Sequence, residues 1–226
     1  MDQILNPYYL NQRKEVAAFI PSNMTAMRVL EIGCGVGNFK ENIDGNSEYW
    51  GIEPSLDVAN IAATKLFKVL VGRFEDVYMF LPNDYFDCVV CNDVIEHMAN
   101  EDWFLTTIKT KMKRKSVIVG SVPNVRYIDN LLHLIIRKDW RYLDSGILDR
   151  THLRFFTEKS LKRSFESNQY DILSFYGINR FPIDRRNFKV LCKSLTMRVL
   201  SYLIGKDSRY LQFGFCISPR WVYSIV

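Results

Sequence analysis

The sequence predicts an α/β protein built on a doubly wound, mostly parallel seven-stranded sheet, with a lid inserted after strand 5. Three observations carry this expectation. Apolar runs of strand length alternate with segments of helical period, as crossover units require. The runs are near-continuous Val, Ile and Leu, which suits strands covered on both faces. After Pro123 the rhythm breaks into a stretch rich in aromatics and Arg with no strand partner nearby.

Taken in order, residues 28–33 read as strand 1, and the chain turns through glycines into a helix at 37–44. Residues 48–53 are strand 2, 55–66 a helix and 68–72 strand 3, followed by only a weak helical connection. The run "FDCVVC" at 86–91 is strand 4, 101–113 a helix and "SVIVGSV" at 116–122 strand 5. The lid, 123–156, holds one amphipathic helix at 127–138, and such segments commonly carry substrate contacts. Thr157 then suits an N-cap, with Leu161 and Phe165 at helical spacing behind it. "DILSFYGI" is a sixth strand, 187–204 a further helix and 211–218 a last strand. One domain spanning 1–226 follows, with its core at 28–122 and 157–226.

The helix at 187–204 combines an apolar face with basic residues; a membrane surface or a second subunit of a homodimer would suit it, but a core helix is the simplest reading. With 226 residues, 48% hydrophobic and 14% aromatic, the chain can bury a substantial core. Its net charge of +5 comes from interleaved acids and bases, which argues only weakly for nucleic acid as a partner. The first residues lack the pattern of a signal peptide and no apolar run reaches the length of a membrane span, so a cytoplasmic protein is expected. The five cysteines, Cys34, Cys88, Cys91, Cys192 and Cys216, are odd in number and suit a reducing compartment. Cys88 and Cys91 form a C-x-x-C, but inside a strand they point to opposite faces and read as small core hydrophobes.

The most informative segment is "VLEIGCGVGNF". A strand runs into Gly33-x-Gly35-x-Gly37, where the backbone must turn sharply while a ligand packs against it. Glu53 follows 20 residues after Gly33, at the end of strand 2, where an acid accepts hydrogen bonds from ribose hydroxyls. The third glycine comes one residue too early for a dinucleotide loop, and Glu31 just upstream would repel phosphates but pair with an ammonium. These features favour a cationic, phosphate-free nucleoside.

A second cluster is "NDVIEHM", residues 92–98. On a helix beginning after strand 4, Asp93, Glu96 and His97 would fall at i, i+3 and i+4 on one face, at the mouth of the cleft. The competing reading makes Asn92 or Asp93 an N-cap and Glu96 a favourable first-turn charge. Of the other histidines, His133 sits in an amphipathic helix, whereas His152 follows the lid and precedes the capped helix.

"VLEIGCGVGNF", "GIEPS", "GRFEDV" and "FDCVVCNDVIEHM", in that order and spacing, resemble the class I S-adenosylmethionine-dependent methyltransferases, over roughly residues 28–122. The resemblance implies a Rossmann-like sheet and S-adenosylmethionine as cofactor. It places Glu31, Gly33 and Gly35 around the methionine moiety, Glu53 on the ribose, and Pro54, Phe74 and Glu75 beside the adenine, with Cys34 and Asn92 also among the cofactor-binding residues. Arg73 stands where the family often has Asp, which removes an expected contact to the adenine amino group.

The acid-x-x-Glu-His cluster with the later His-x-x-Phe-x-Thr segment is similar to metal-assisted O-methyltransferases, including those acting on small-RNA 2′-hydroxyls and those of the ubiquinone pathway. By that likeness Asp93, Glu96, His97 and His152 would hold a divalent cation, Mg²⁺, Mn²⁺ or Fe²⁺, with Asp93 replacing the usual Glu. Without metal, His97 or His152 would serve as general base beside Glu96, since an alcohol oxygen is a poor nucleophile.

"DVIEHM", "PNVRY" and "DRTHLRFFT" also look like a bacterial group associated with surface-polysaccharide pathways, a likeness reaching about residue 180. It makes a sugar hydroxyl the leading acceptor, with Arg126, Tyr127, Trp140, Arg141, Tyr142, Arg150 and Arg154 as lid contacts. RNA or a quinone precursor are the alternative acceptors, and a protein that binds S-adenosylmethionine without catalysis is the alternative of another class.

Overall fold

Strand β1, Arg28–Ile32, takes an interior place in the sheet because its side chains bury on both faces. The computed structural model describes residues 12–180 and 188–221, apart from the side chains of 188–194. The further strands are β2 (Glu48–Glu53), β3 (Lys68–Val71), β4 (Phe86–Asn92), β5 (Met112–Pro123), β6 (Tyr170–Arg180) and β7 (Tyr210–Pro219). They form one seven-stranded sheet in the order β3-β2-β1-β4-β5-β7-β6. Strands β1 to β5 are parallel, and β7 runs antiparallel to both β5 and β6.

The helices are α1 (Lys14–Ala17), α2 (Leu56–Ala62), α3 (Phe74–Val77), α4 (Glu101–Lys109), α5 (Ile128–Arg137), α6 (Glu158–Ser167) and α7 (Phe188–Ile204). Phe74, Phe104, Ile108, Leu161 and Phe165 from α3, α4 and α6 cover the face that carries Leu30, Ile32, Val89 and Cys91. Val16, Phe19, Phe39 and Ala62 cover the other face, which carries Val29, Cys88 and Val90. Cys88 and Cys91 thus lie on opposite faces as expected, fully buried, and burial pushes both thiols up. The side chain of Cys192 lies outside the described residues.

Between β1 and β4 the winding reverses, because β2 and β3 are added on one side and β4 and β5 on the other. Connections leaving the carboxyl ends of β1 and β4 therefore diverge and open a crevice between them, the place where open α/β sheets bind ligands.

Several elements differ from the sequence expectation. The helix at 37–44 is a single 3₁₀ turn, Asn38–Asn42, since the glycine loop consumes the residues that would start it. The helix at 55–66 ends at Ala62, after which Phe67 N already bonds Tyr49 O of β2. The helix at 101–113 stops at Lys109, and β5 begins at Met112, which pairs with Phe86 before a bulge in the ladder. Helix α7 lies as expected but is not wholly a core helix: Met197 is buried, while Leu195, Val199, Tyr202 and Leu203 are exposed.

The segment expected as a lid leaves and returns at one point. Asn124 and Phe156 form a bridge, and Asn124 Nδ2 donates to Asp207 O and Tyr210 O at 2.9 Å each. At its far end Thr157 caps α6 through a capping box with Ser160.

Candidate active site

The glycine loop bends because Gly33 and Gly35 take left-handed backbone, φ 70° and 52°, open to glycine without penalty. A Cβ on Gly33 would also stand 3.0 Å from Val94 Cγ2. The loop forms one wall of a cavity of about 580 Å³ at the carboxyl ends of β1, β2 and β4, lined also by Glu53, Pro54, Phe74, Glu75 and Asn92.

Glu53 is held at the floor of this cavity by its backbone neighbours. Its Oε2 accepts from Gly35 N and its Oε1 from Ser55 N, both at 3.0 Å. A carboxylate oriented in this way keeps lone pairs for a vicinal diol. Burial pushes its pKa up, and the two backbone donors oppose that rise. Arg73 lines the cavity beside Phe74, so the replacement noted in the sequence brings a cation to the expected adenine end.

Two of the expected cofactor residues are displaced from the wall. Cys34 turns its thiol inward, where a Cβ on Gly51 would meet Sγ at 2.4 Å, and is buried with the core. Glu31 is 3% exposed and lies beneath the cavity, accepting from Tyr49 Oη at 2.9 Å and from Asn92 Nδ2 at 3.5 Å. Burial pushes its pKa up to about 8, against the hydrogen bonds from Tyr49 and Asn92. Asn92 stands between Glu31 and the cavity, and its Oδ1 is buried with no hydrogen-bond partner. That oxygen is an acceptor left for a donor such as an ammonium.

A second cavity, of about 830 Å³, shares Asp93 and His97 with the first. The cluster that separates them is not the helix face the sequence suggested. Asp93 takes φ 52°, and only a 3₁₀ turn, Ile95–His97, follows, so neither Asn92 nor Asp93 caps a helix. Asp93 is turned away into a network from both ends of the chain: Arg13 Nη1 lies 2.6 Å from Oδ2, Ser121 Oγ donates to Oδ1 at 2.8 Å, and Gln212 Nε2 reaches both oxygens. Arg13 and Gln212 were not foreseen from the sequence, where nothing distinguishes them.

Glu96, His97 and His152, by contrast, converge. The main chain of 153–154 is hung on this turn, Leu153 N and Arg154 N both donating to Glu96 O at 2.9 and 3.1 Å, which is how His152 from the segment 123–156 arrives. The two imidazoles meet edge to face with ring centres 4.8 Å apart. His97 Nδ1 donates to Thr151 O at 3.2 Å and His152 Nδ1 to Ile147 O at 3.0 Å, because a carbonyl can only accept. Both Nε2 lone pairs are thereby left as bases or ligands. Glu96 is 1% exposed, and neither carboxylate oxygen has a partner.

One ligand atom from each of Glu96, His97 and His152 lies within 4.8 Å of the others, and Asp93 is not part of this group. Of the four residues expected by resemblance to hold a cation, the structure brings together three, since the oxygens of Asp93 are taken by Arg13, Ser121 and Gln212. Burial and then the charge of Asp93 raise Glu96 well above the carboxylate range. Burial lowers His97, opposed by its bond to Thr151 O, so the ring is neutral near pH 7. Among the described residues, no helix is long and apolar enough to cross a membrane.

A family model described as a methyltransferase domain matches residues 7–174. A ubiquinone biosynthesis O-methyltransferase of Nitrobacter winogradskyi is 27% identical over 172 residues, covering 72% of this chain and 64% of the relative. A methyltransferase of Anoxybacillus flavithermus is 35% identical over 75 residues, 33% of this chain and 35% of the relative. These matches thus span about a third and under two thirds of the relatives' lengths. Among solved structures, an S-adenosylmethionine-dependent methyltransferase of Archaeoglobus fulgidus superposes with TM-score 0.59 at 21% identity, over 93% of this chain and 92% of that one. One of Thermotoga maritima, a possible histamine N-methyltransferase, gives 0.62 at 16% identity, over 96% and 92%. At these identities the structural likeness concerns the fold.

Proposed function

Because the chain belongs to the methyltransferase domain family, we propose that it transfers the methyl group of S-adenosylmethionine to a hydroxyl of a small acceptor held in the second cavity. The observation that carries the reading is the buried, unpartnered Glu96 beside two imidazoles with free Nε2, where the two cavities meet.

The cofactor cavity fits its ligand by chemistry. Glu53 is oriented for a ribose diol, and Asn92 Oδ1, with Glu31 behind it, for the methionine ammonium. The sulfonium methyl is then presented toward His97, which lines both cavities. His97 or His152 accepts the one acceptor proton at Nε2, and the cavity walls align the oxygen behind the methyl carbon. Glu96, His97 and His152 are also the residues that would hold a divalent cation, whose Lewis acidity would lower the pKa of a bound hydroxyl.

A ring hydroxyl of a catechol or quinol type suits the relatives named ubiquinone biosynthesis O-methyltransferase better than does the sugar expected from the sequence. Three of the four arginines expected to grip a pyrophosphate are already in ion pairs. Arg126 pairs with Asp207, Arg150 with Asp144 and Arg154 with Glu101. The test is formation of S-adenosylhomocysteine with a catechol, a nucleotide sugar and a short RNA as separate acceptors. Turnover with the catechol alone is expected. Turnover only with the sugar or the RNA overturns the acceptor, and none with any hydroxylated acceptor, despite tight cofactor binding, overturns catalysis.

A further inference from the structure

We propose that the outer faces of α5 and α7 form a docking surface for an anionic lipid bilayer. The inference goes beyond the methyl-transfer reading and holds whichever hydroxyl is methylated.

Helix α5 is amphipathic, but only Ile128 on its apolar face is fully buried; Ile135 is 64% and Ile136 69% exposed. Over its described side chains, 195–204, helix α7 carries apolar residues on both sides. Met197 and Ser201 turn inward, while Leu195, Val199 and Tyr202, spaced i, i+4, i+7, form an outer stripe, and Leu203 beside them is 79% exposed. The helices pack on one another, and Arg126 ties them: Nε reaches Asp207 Oδ2 at 2.6 Å and Nη2 donates to Ile204 O at 3.1 Å. An apolar stripe left bare on a helix marks a contact with a partner.

The charge around the patch selects the partner. Among the described residues of 195–209 the bases are Arg198, Lys206 and Arg209 against the single acid Asp207, and the sequence of α7 contains no acid. The Arg209 guanidinium lies 3.8 Å over the Tyr202 ring, and Arg209 and Arg198 pull the Tyr202 phenol below its usual range. Exposed Arg137, Lys138 and Arg141 follow the bare end of α5. Apolar side chains rimmed by cations match the acyl and headgroup layers of an anionic leaflet. A second copy of the chain would set one basic rim against another.

The experiment is co-sedimentation of the full chain with vesicles of phosphatidylcholine alone and of phosphatidylcholine mixed with phosphatidylglycerol. Binding to the mixed vesicles only, weakened by salt, is expected. Ile136→Asp and Leu203→Asp should each weaken it tenfold or more, with cofactor affinity and melting temperature unchanged. Equal or absent binding to the two vesicle types overturns the proposal, as does undiminished binding of the variants. A dimer in sedimentation equilibrium that the same variants convert to monomer would show that a second copy covers the face. Variants that melt early yet still bind vesicles would show that the chain itself covers it.

Discussion

Arg13 Nη1 and Asp93 Oδ2 meet at 2.6 Å across 80 residues of sequence, and both residues sit in left-handed backbone at φ 52°. The pair fixes the bend after β4 and so sets where Glu96 and His97 stand. Arg13→Met leaves Asp93 half-buried with one charged partner gone, a loss of about 3 kcal/mol in folding stability. Denaturant melts should show that loss, and S-adenosylhomocysteine formation should fall by about tenfold. Wild-type turnover in a folded variant would mean that the bend does not govern the cluster.

His97→Ala and His152→Ala test the proposed proton acceptors. Each should lower turnover by roughly 10²–10⁴ while cofactor affinity stays near wild type, because Glu53 and Asn92 are held by Gly35, Ser55 and Glu31 and the two rings by Thr151 and Ile147. Unaltered rates would remove the histidines from the chemistry. Exhaustive chelation separates the two uses of the cluster. Activity that disappears and returns with Mn²⁺ or Mg²⁺ assigns Glu96, His97 and His152 to a cation, whereas surviving activity assigns them to the proton.

Glu53 offers a cleaner test of the cofactor cavity. Glu53→Gln puts an amide where the carboxylate accepts from Gly35 N or Ser55 N, and it removes the charge offered to a diol. Affinity for S-adenosylmethionine, measured by calorimetry, should weaken by roughly 10–100-fold. Undiminished affinity would put the ribose elsewhere.

What the sequence revealed and what it hid divide along physical lines. Strands β1, β2 and β4 were legible because burial on both faces demands unbroken apolar runs, and the cofactor loop because left-handed backbone demands Gly33 and Gly35. The inward turn of Cys34 and the seat of Glu31 beneath Asn92 were not, since they depend on Tyr49 and Gly51 from the neighbouring strand. The helix assumed after β4 failed for a similar reason. Its spacing permits i, i+4 pairing, but Arg13, Ser121 and Gln212 hold Asp93 in a conformation no helix contains. His152 was singled out as a residue apart and stands against His97 in the structure, while the carbonyls of Thr151 and Ile147, which fix the tautomers of His97 and His152 in turn, are main-chain features without a side-chain signal.

Glu31 makes a prediction about pH. Burial raises its folded-state pKa from 4.5 to about 8, so between those values the folded chain holds a proton that the unfolded chain has released. Stability therefore falls as pH rises through this window and levels off above it, since the unfolded state binds fewer protons there than the folded state. The penalty at its full extent is of order a few kcal/mol. Glu31→Gln keeps an acceptor for Tyr49 and has nothing to ionise, so the melting temperatures of variant and wild type should diverge by several degrees toward pH about 8, the variant being the more stable. Bound cofactor should narrow that gap, because an ammonium beside Asn92 favours the carboxylate. Parallel melting curves across the window would show that Glu31 is ionised beneath the cavity at all of these pH values.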